Sequence, residues 1–130
     1  MALLAHCAKV VEDRGAHEVV QDHAGRKLLC FKARRNGFMP EYLDHPVKDR
    51  RTWEEDVKWR MNPETPERYV DLDARMAKAR NAAAQGLMIS QGLVGGYMYL
   101  RSLMGPVETL YMFFDRPELV HDCMRAWSDL

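Results

Sequence analysis

Apolar and polar residues change their rhythm several times along this chain. Glu18-Val19-Val20-Gln21 and Lys27-Leu28-Leu29-Cys30-Phe31 are short β-prone runs. Between them, Asp22-His23-Ala24-Gly25 has turn chemistry. Asp suits the start of a type I turn, and Gly tolerates the left-handed position that closes it. The pattern predicts a β-hairpin over 17–32. Ahead of it, residues 1–15 read as a short helix or frayed start ending at Gly15. Behind it, 33–51 reads as a long irregular connection, because Gly37, Pro40 and Pro46 resist helix and central strand. Its Phe38, Met39, Tyr42 and Leu43 suggest that it packs onto something.

Helical signals follow. Thr52-Trp53-Glu54-Glu55 reads as a capping box, with the Thr hydroxyl accepting a helix N–H and Glu55 reaching back. That helix should run to about Met61 and stop before Pro63. Thr65-Pro66 opens another, with Pro at the first position, where a missing N–H costs little. Tyr69, Leu72, Met76, Ala79 and Ala83 recur at steps of three and four, a single apolar stripe that Gly86 ends.

Leu87-Met88-Ile89-Ser90 is short and continuously apolar, which predicts a strand buried on both faces, as parallel strands are. Gln91 and the glycine-rich turn at 92–96 come next. Helices are expected from Tyr97 to Met104, stopped by Gly105, and from Pro106 to Phe114. Asp115-Arg116-Pro117-Glu118 reads as a second capping box. It opens a helix with Leu119, Val120, Cys123, Met124 and Trp127 inward. Helix, buried strand and helix in turn is βα grammar. The expected fold is therefore α/β, a partial (β/α)8 TIM-barrel segment with an N-terminal β-hairpin. It forms one partial domain over 1–130: hairpin 17–32, helices 52–86, then strand, loop and helices 87–130. A whole barrel takes about 250 residues, so the expectation is a piece of a larger enzyme.

Composition changes this picture little. Apolar residues make up 47% and charged residues 29% of 130, as in ordinary soluble domains. Lys plus Arg and Asp plus Glu are both 19, so net charge argues for neither nucleic acid nor an anionic membrane as partner. Cys7, Cys30 and Cys123 are odd in number and widely spaced, which predicts reduced thiols in a cytoplasmic protein. The first residues are too short and too weakly basic for a signal peptide. No apolar run approaches the about 18 residues of a membrane span.

Few residues declare chemistry. His121-Asp122-Cys123 has zinc-ligand types, but residues two apart on a helix point to nearly opposite sides, so no metal site is expected. The turn at 92–96 is Gly-Leu-Val-Gly-Gly, not a GxGxxG motif, and no Walker lysine follows. In barrels, loops at the C-terminal ends of strands carry the site, which selects Gln91, Tyr97 and Arg101. Tyr97 and Arg101 are four apart and share a helix face. A phenol and a guanidinium could together hold a carboxylate. Arg34-Arg35, Lys48-Asp49-Arg50-Arg51, Glu54-Glu55 and Asp71/Asp73 read as solvated charge. Met98, Met104 and Met112 read as packing residues.

Two stretches carry a family resemblance. Met39-Pro40-Glu41-Tyr42-Leu43-Asp44-His45-Pro46-Val47-Lys48-Asp49-Arg50, followed by Trp53-Glu54-Glu55, is one. Leu100-Arg101-Ser102-Leu103-Met104-Gly105, followed by Asp115-Arg116-Pro117-Glu118-Leu119-Val120-His121, is the other. In order and spacing, from about Val10 to Leu130, the chain resembles the uroporphyrinogen decarboxylase-like superfamily. The resemblance implies a (β/α)8 barrel. It implies either decarboxylation of tetrapyrrole acetate side chains without a cofactor, or methyl transfer between corrinoid proteins and thiols with zinc. It also implies a site tyrosine after the 87–90 strand, to which Tyr97 or Tyr99 is nearest. Arg34 to Tyr42 does not match the family's substrate-binding arginine motif, and the catalytic aspartate and zinc motifs of the two branches are not in this sequence. The expected substrate-binding set is thus Gln91, Tyr97, Tyr99 and Arg101, with no catalytic residue, metal or cofactor. The expected partner is a tetrapyrrole or other small polycarboxylate. The alternatives are a zinc methyltransferase piece or a non-catalytic module that self-associates as a homo-oligomer.

Overall fold

The computed structural model describes residues 8–35 and 39–130. Its strands are β1 (Lys9–Arg14), β2 (His17–Gln21), β3 (Lys27–Phe31) and β4 (Glu41–Asp44). They form one antiparallel sheet in the order β1-β2-β3-β4. The β2–β3 hairpin forms where the turn chemistry placed it, pairing Val19 with Leu29 and Val20 with Leu28. Asp22 Oδ1 accepts from the N–H groups of Ala24 and Arg26, both at 2.9 Å, and so replaces backbone bonds that the turn lacks.

Two sequence expectations fail here. Lys9–Arg14 is an edge strand, not a helix, and residues 1–7 lie outside the described residues. Residues 41–44 pair with β3 rather than forming irregular connection, because β3 offers a free edge and Pro40 sits just outside the pairing. Gly37 and Phe38 lie outside the described residues.

The helical part starts one turn earlier than its sequence signal. Asp49, not Thr52, is the N-cap: its side chain accepts from Thr52 N–H at 2.7 Å, and Thr52 Oγ1 accepts in return from Asp49 N–H at 3.0 Å. Thr52 is thus the inner half of the capping box. From there α1 (Arg50–Thr52) continues through a π-type turn at Trp53–Val57 and a 3-10 turn at Lys58–Met61. A 3-10 turn at Pro66–Tyr69 follows, then α2 (Leu72–Ala84). Asp71 separates them at φ 59°, so the predicted helix is broken there. The remaining helices are α3 (Gly96–Met104), α4 (Pro106–Asp115) and α5 (Pro117–Ser128). Asp115 belongs to α4, and Arg116 caps α5 without a side-chain bond, so the second predicted capping box is absent.

The core lies among α3, α4, α5 and the 47–61 stretch. Trp53, Val57, Leu100, Leu103 and Cys123 are at most 1% exposed. Each such large side chain contributes about 1.5–3 kcal/mol of transfer free energy. Leu119, Val120 and Cys123 face inward with Met124 and Trp127 packed beside them, as the spacing on α5 predicts. Asp122 ties α5 down: its Oδ2 accepts from Trp53 Nε1 at 2.8 Å, Arg50 Nη1 at 2.7 Å and Lys58 Nζ at 3.2 Å.

The barrel segment is not what the chain forms. Residues 87–90 are not a strand: Leu87 is 59% exposed, Met88 89% and Ile89 50%. Among the described residues no strands pair in parallel. A short apolar run becomes a buried strand only if neighbouring strands satisfy its N–H and C=O groups. All four strands here pair among themselves. The apolar stripe on α2 is likewise left unburied: the helix buries no residue.

A cationic cleft between the sheet and α3

The hairpin turn holds one arginine with care. Arg26 Nε and Nη2 donate to Asp22 Oδ2 at 2.8 and 2.6 Å, and Nη1 donates to Ser102 Oγ of α3 at 3.3 Å. Its guanidinium also lies over the Tyr42 ring, 5.0 Å from the centroid. Partial burial works to raise the Asp22 pKa. The Arg26 bonds and charge, with the backbone N–H groups of Arg26 and Ala24, outweigh it and hold the carboxyl below its ordinary range. Tyr42 in β4 stacks on His45, with centroids 5.9 Å apart and planes at 22°. Burial first, then the Arg26 charge, lowers the His45 pKa; Asp44 and Asp22 oppose this in part.

Arg26, Tyr42, His45, Arg101, Ser102 and Pro106 line an open cleft of about 320 Å³. Arg101 is exposed, and among the described residues it has no ion pair. Its Nη1 makes a weak contact to Met98 Sδ at 3.9 Å. Gly105 makes room for the cleft floor. Its φ is 94°, and a Cβ there would sit 3.1 Å from His45 Nδ1.

The structure separates the four residues selected from the sequence. Arg101 lies in the cleft. Tyr97 is 48% exposed, one turn earlier on α3, and is not among the cleft residues. Gln91 lies in the exposed stretch between α2 and α3. Tyr99 is 3% exposed, and among the described residues its hydroxyl has no hydrogen-bond partner. Burial, with Cys123 and Asp122 nearby, pushes its pKa up, so it is a sealed neutral phenol.

The other candidates resolve into packing. Gly96 lets α5 approach: a Cβ there would meet Met124 Cε at 2.4 Å. Trp127 Nε1 donates to Val94 O at 3.1 Å, which pins the glycine-rich stretch to α5. Cys123 is fully buried, its thiol pushed up to about 12 chiefly by burial, while His121 is exposed. Cys30 is also a buried free thiol, and Cys7 lies outside the described residues. Met104 and Met112 are buried, whereas Met98 is 49% exposed. Arg35 pairs with Glu18, Arg51 with Glu55, and Glu54 with Lys58. Among the described residues no group of three or more His, Cys, Asp or Glu could hold a metal.

Sequence reasoning missed Arg26, Tyr42, His45 and Ser102. The Asp22-to-Arg26 spacing is a local signal of a braced arginine. Nothing local joins Arg26 to Ser102, 76 residues away. The sequence matches no family model, no curated protein and no solved structure.

Proposed function

We propose that this chain binds a carboxylate-bearing small molecule in the cleft between the hairpin turn and α3, as the anion-binding element of uroporphyrinogen decarboxylase-like chemistry. One observation carries the reading: Arg101 brings a guanidinium that has no acidic partner among the described residues to a wall already ordered by Arg26, Ser102 and Tyr42. Planar guanidinium groups suit carboxylates, and charge-assisted bonds are the strong ones. A cleft of about 320 Å³ is too small for a tetrapyrrole macrocycle and fits one or two acidic side chains at its rim. Decarboxylation also needs a proton donor for the carbanion left behind, held away from water. Among the described residues the cleft is open to solvent, and the reading therefore assigns it binding rather than turnover. The methyl-transfer alternative needs a zinc donor set, and the described residues add no support to it.

Uroporphyrin, a stable polycarboxylate, is a suitable probe, with fluorescence as the readout. Arg101→Ala should weaken binding about tenfold, the loss of one charged hydrogen-bonding group. Unchanged affinity would remove Arg101 from the site, and carbon dioxide release from uroporphyrinogen at an enzyme-like rate would refute binding without turnover.

A second reading, self-association, rests on surface. Val107, Leu110, Tyr111 and Phe114 recur along one face of α4, each at least 55% exposed. A second copy of the chain is the occupant this reading assigns to that face. Light scattering should show a dimer that Leu110→Glu dissociates; a monomer at every concentration would count against it. No helix among the described residues is long and apolar enough to cross a membrane.

A further inference from the structure

The sum of charges in the cleft decides what it can hold. Arg26 is paired with Asp22 at 2.6 Å, and Arg101 is, among the described residues, the cation of the wall without an ion pair. The cleft residue whose ordinary range lies closest to neutrality is His45. It is half-buried, with Tyr42 stacked on its ring and Gly105 beneath its Nδ1 edge. Charged groups face it from every neighbouring element. Arg26 and Asp22 come from the hairpin turn, Asp44 from β4 and Arg101 from α3. Lys48 and the α4 Glu108 line its second side. Glu55 and Asp56 line a third. Asp44 is itself engaged, by Lys48 at 2.9 Å and Lys27 at 3.5 Å.

Near neutral pH the ring is mostly uncharged, because burial and the Arg26 charge disfavour the imidazolium. We propose that His45 sets the charge of the anion this cleft accepts, a monoanion when the imidazole is neutral and a dianion when it is protonated. The neutral ring carries no charge; the imidazolium adds a second positive charge to the cleft that Arg101 also lines. A dianion bound there also favours the proton, so its binding takes up a proton as pH falls. This inference rests on the anion-binding reading of the cleft, and it makes His45 a specificity-determining residue.

Two permanently ionised probes separate protein titration from ligand titration: 1,2-ethanedisulfonate, a dianion, and methanesulfonate, a monoanion. Both are titrated by calorimetry into the chain at about pH 8 and about pH 5.5, either side of the ordinary histidine range. Disulfonate affinity should rise about tenfold on acidification, methanesulfonate affinity less than about threefold, and His45→Gln should flatten the disulfonate response. An NMR titration of His45 in the unaltered chain gives a second readout, with its pKa moving up when disulfonate is present. Disulfonate binding with no pH response, or with the same response in His45→Gln, overturns the role of His45 and leaves the anion site standing. No binding of either probe at either pH removes the anion site and this inference with it.

Discussion

Arg60 is fully buried, and a guanidinium can be buried only if its donors are met. Its Nη1 donates to Ala24 O at 3.1 Å and its Nη2 to His23 O at 2.7 Å. Both acceptors sit in the hairpin turn that also presents Arg26. Burial lowers the Arg60 pKa, and the Asp22 charge opposes that. The side chain thus fastens the hairpin turn to the helical half. Arg60→Met keeps much of the volume and strands both carbonyls. It should cost about 2–4 kcal/mol in denaturant unfolding. A cost under about 0.5 kcal/mol, the range of an ordinary surface change, would show that the turn does not depend on this clamp. Nothing in the sequence around Arg60 marks it as buried: Lys58-Trp59-Arg60 falls near the end of the helix that the sequence predicts to about Met61.

At the scale of elements, the α3–α4 junction shows what spacing can and cannot reveal. Gly105 reads as a helix stop, and it is one. The further requirement, close approach of His45, depends on β4 arriving from another part of the chain. Gly105→Ala forces a side chain into a φ of 94° and against an imidazole edge at 3.1 Å. It should destabilise by about 1–3 kcal/mol and distort the cleft. Gly96→Ala meets Met124 Cε, the end of a flexible side chain, and its backbone is helical. It should cost under about 1 kcal/mol, because methionine can turn aside. Thermal melts of the two variants would decide, and an equal or reversed ranking would contradict this account. The hairpin, α3, α4 and α5 were legible because each satisfies its own backbone bonds with local signals. β4 was not, because a four-residue strand exists only through the edge it joins.

Across the whole molecule, order is unevenly supported. The 47–61 stretch and α3, α4 and α5 share one buried cluster. Every residue of α2 is exposed or only half-buried, and none is buried. An isolated helix of 13 residues is marginal in water, since packing supplies most helical stability in proteins. Hydrogen exchange should therefore find α2 amides weakly protected and α5 amides protected close to the global limit. Strong protection throughout α2 would show that its apolar stripe is covered in solution, as self-association would do.

By itself the sequence determined the hairpin and its turn, the inward face of α5, the limits of α3 and α4, and Arg101 as a candidate. Each is a local matter of spacing, turn chemistry or residue type. Tertiary structure decided the rest. Residues 87–90 have the composition of a buried strand but, among the described residues, no neighbouring strand to bond, so they lie exposed and no barrel unit forms. The partners of Arg101 were decided in the same way. Tyr97 shares its helix, but Arg26, Tyr42 and His45 share its cleft, because the antiparallel sheet brings the hairpin turn and β4 against α3.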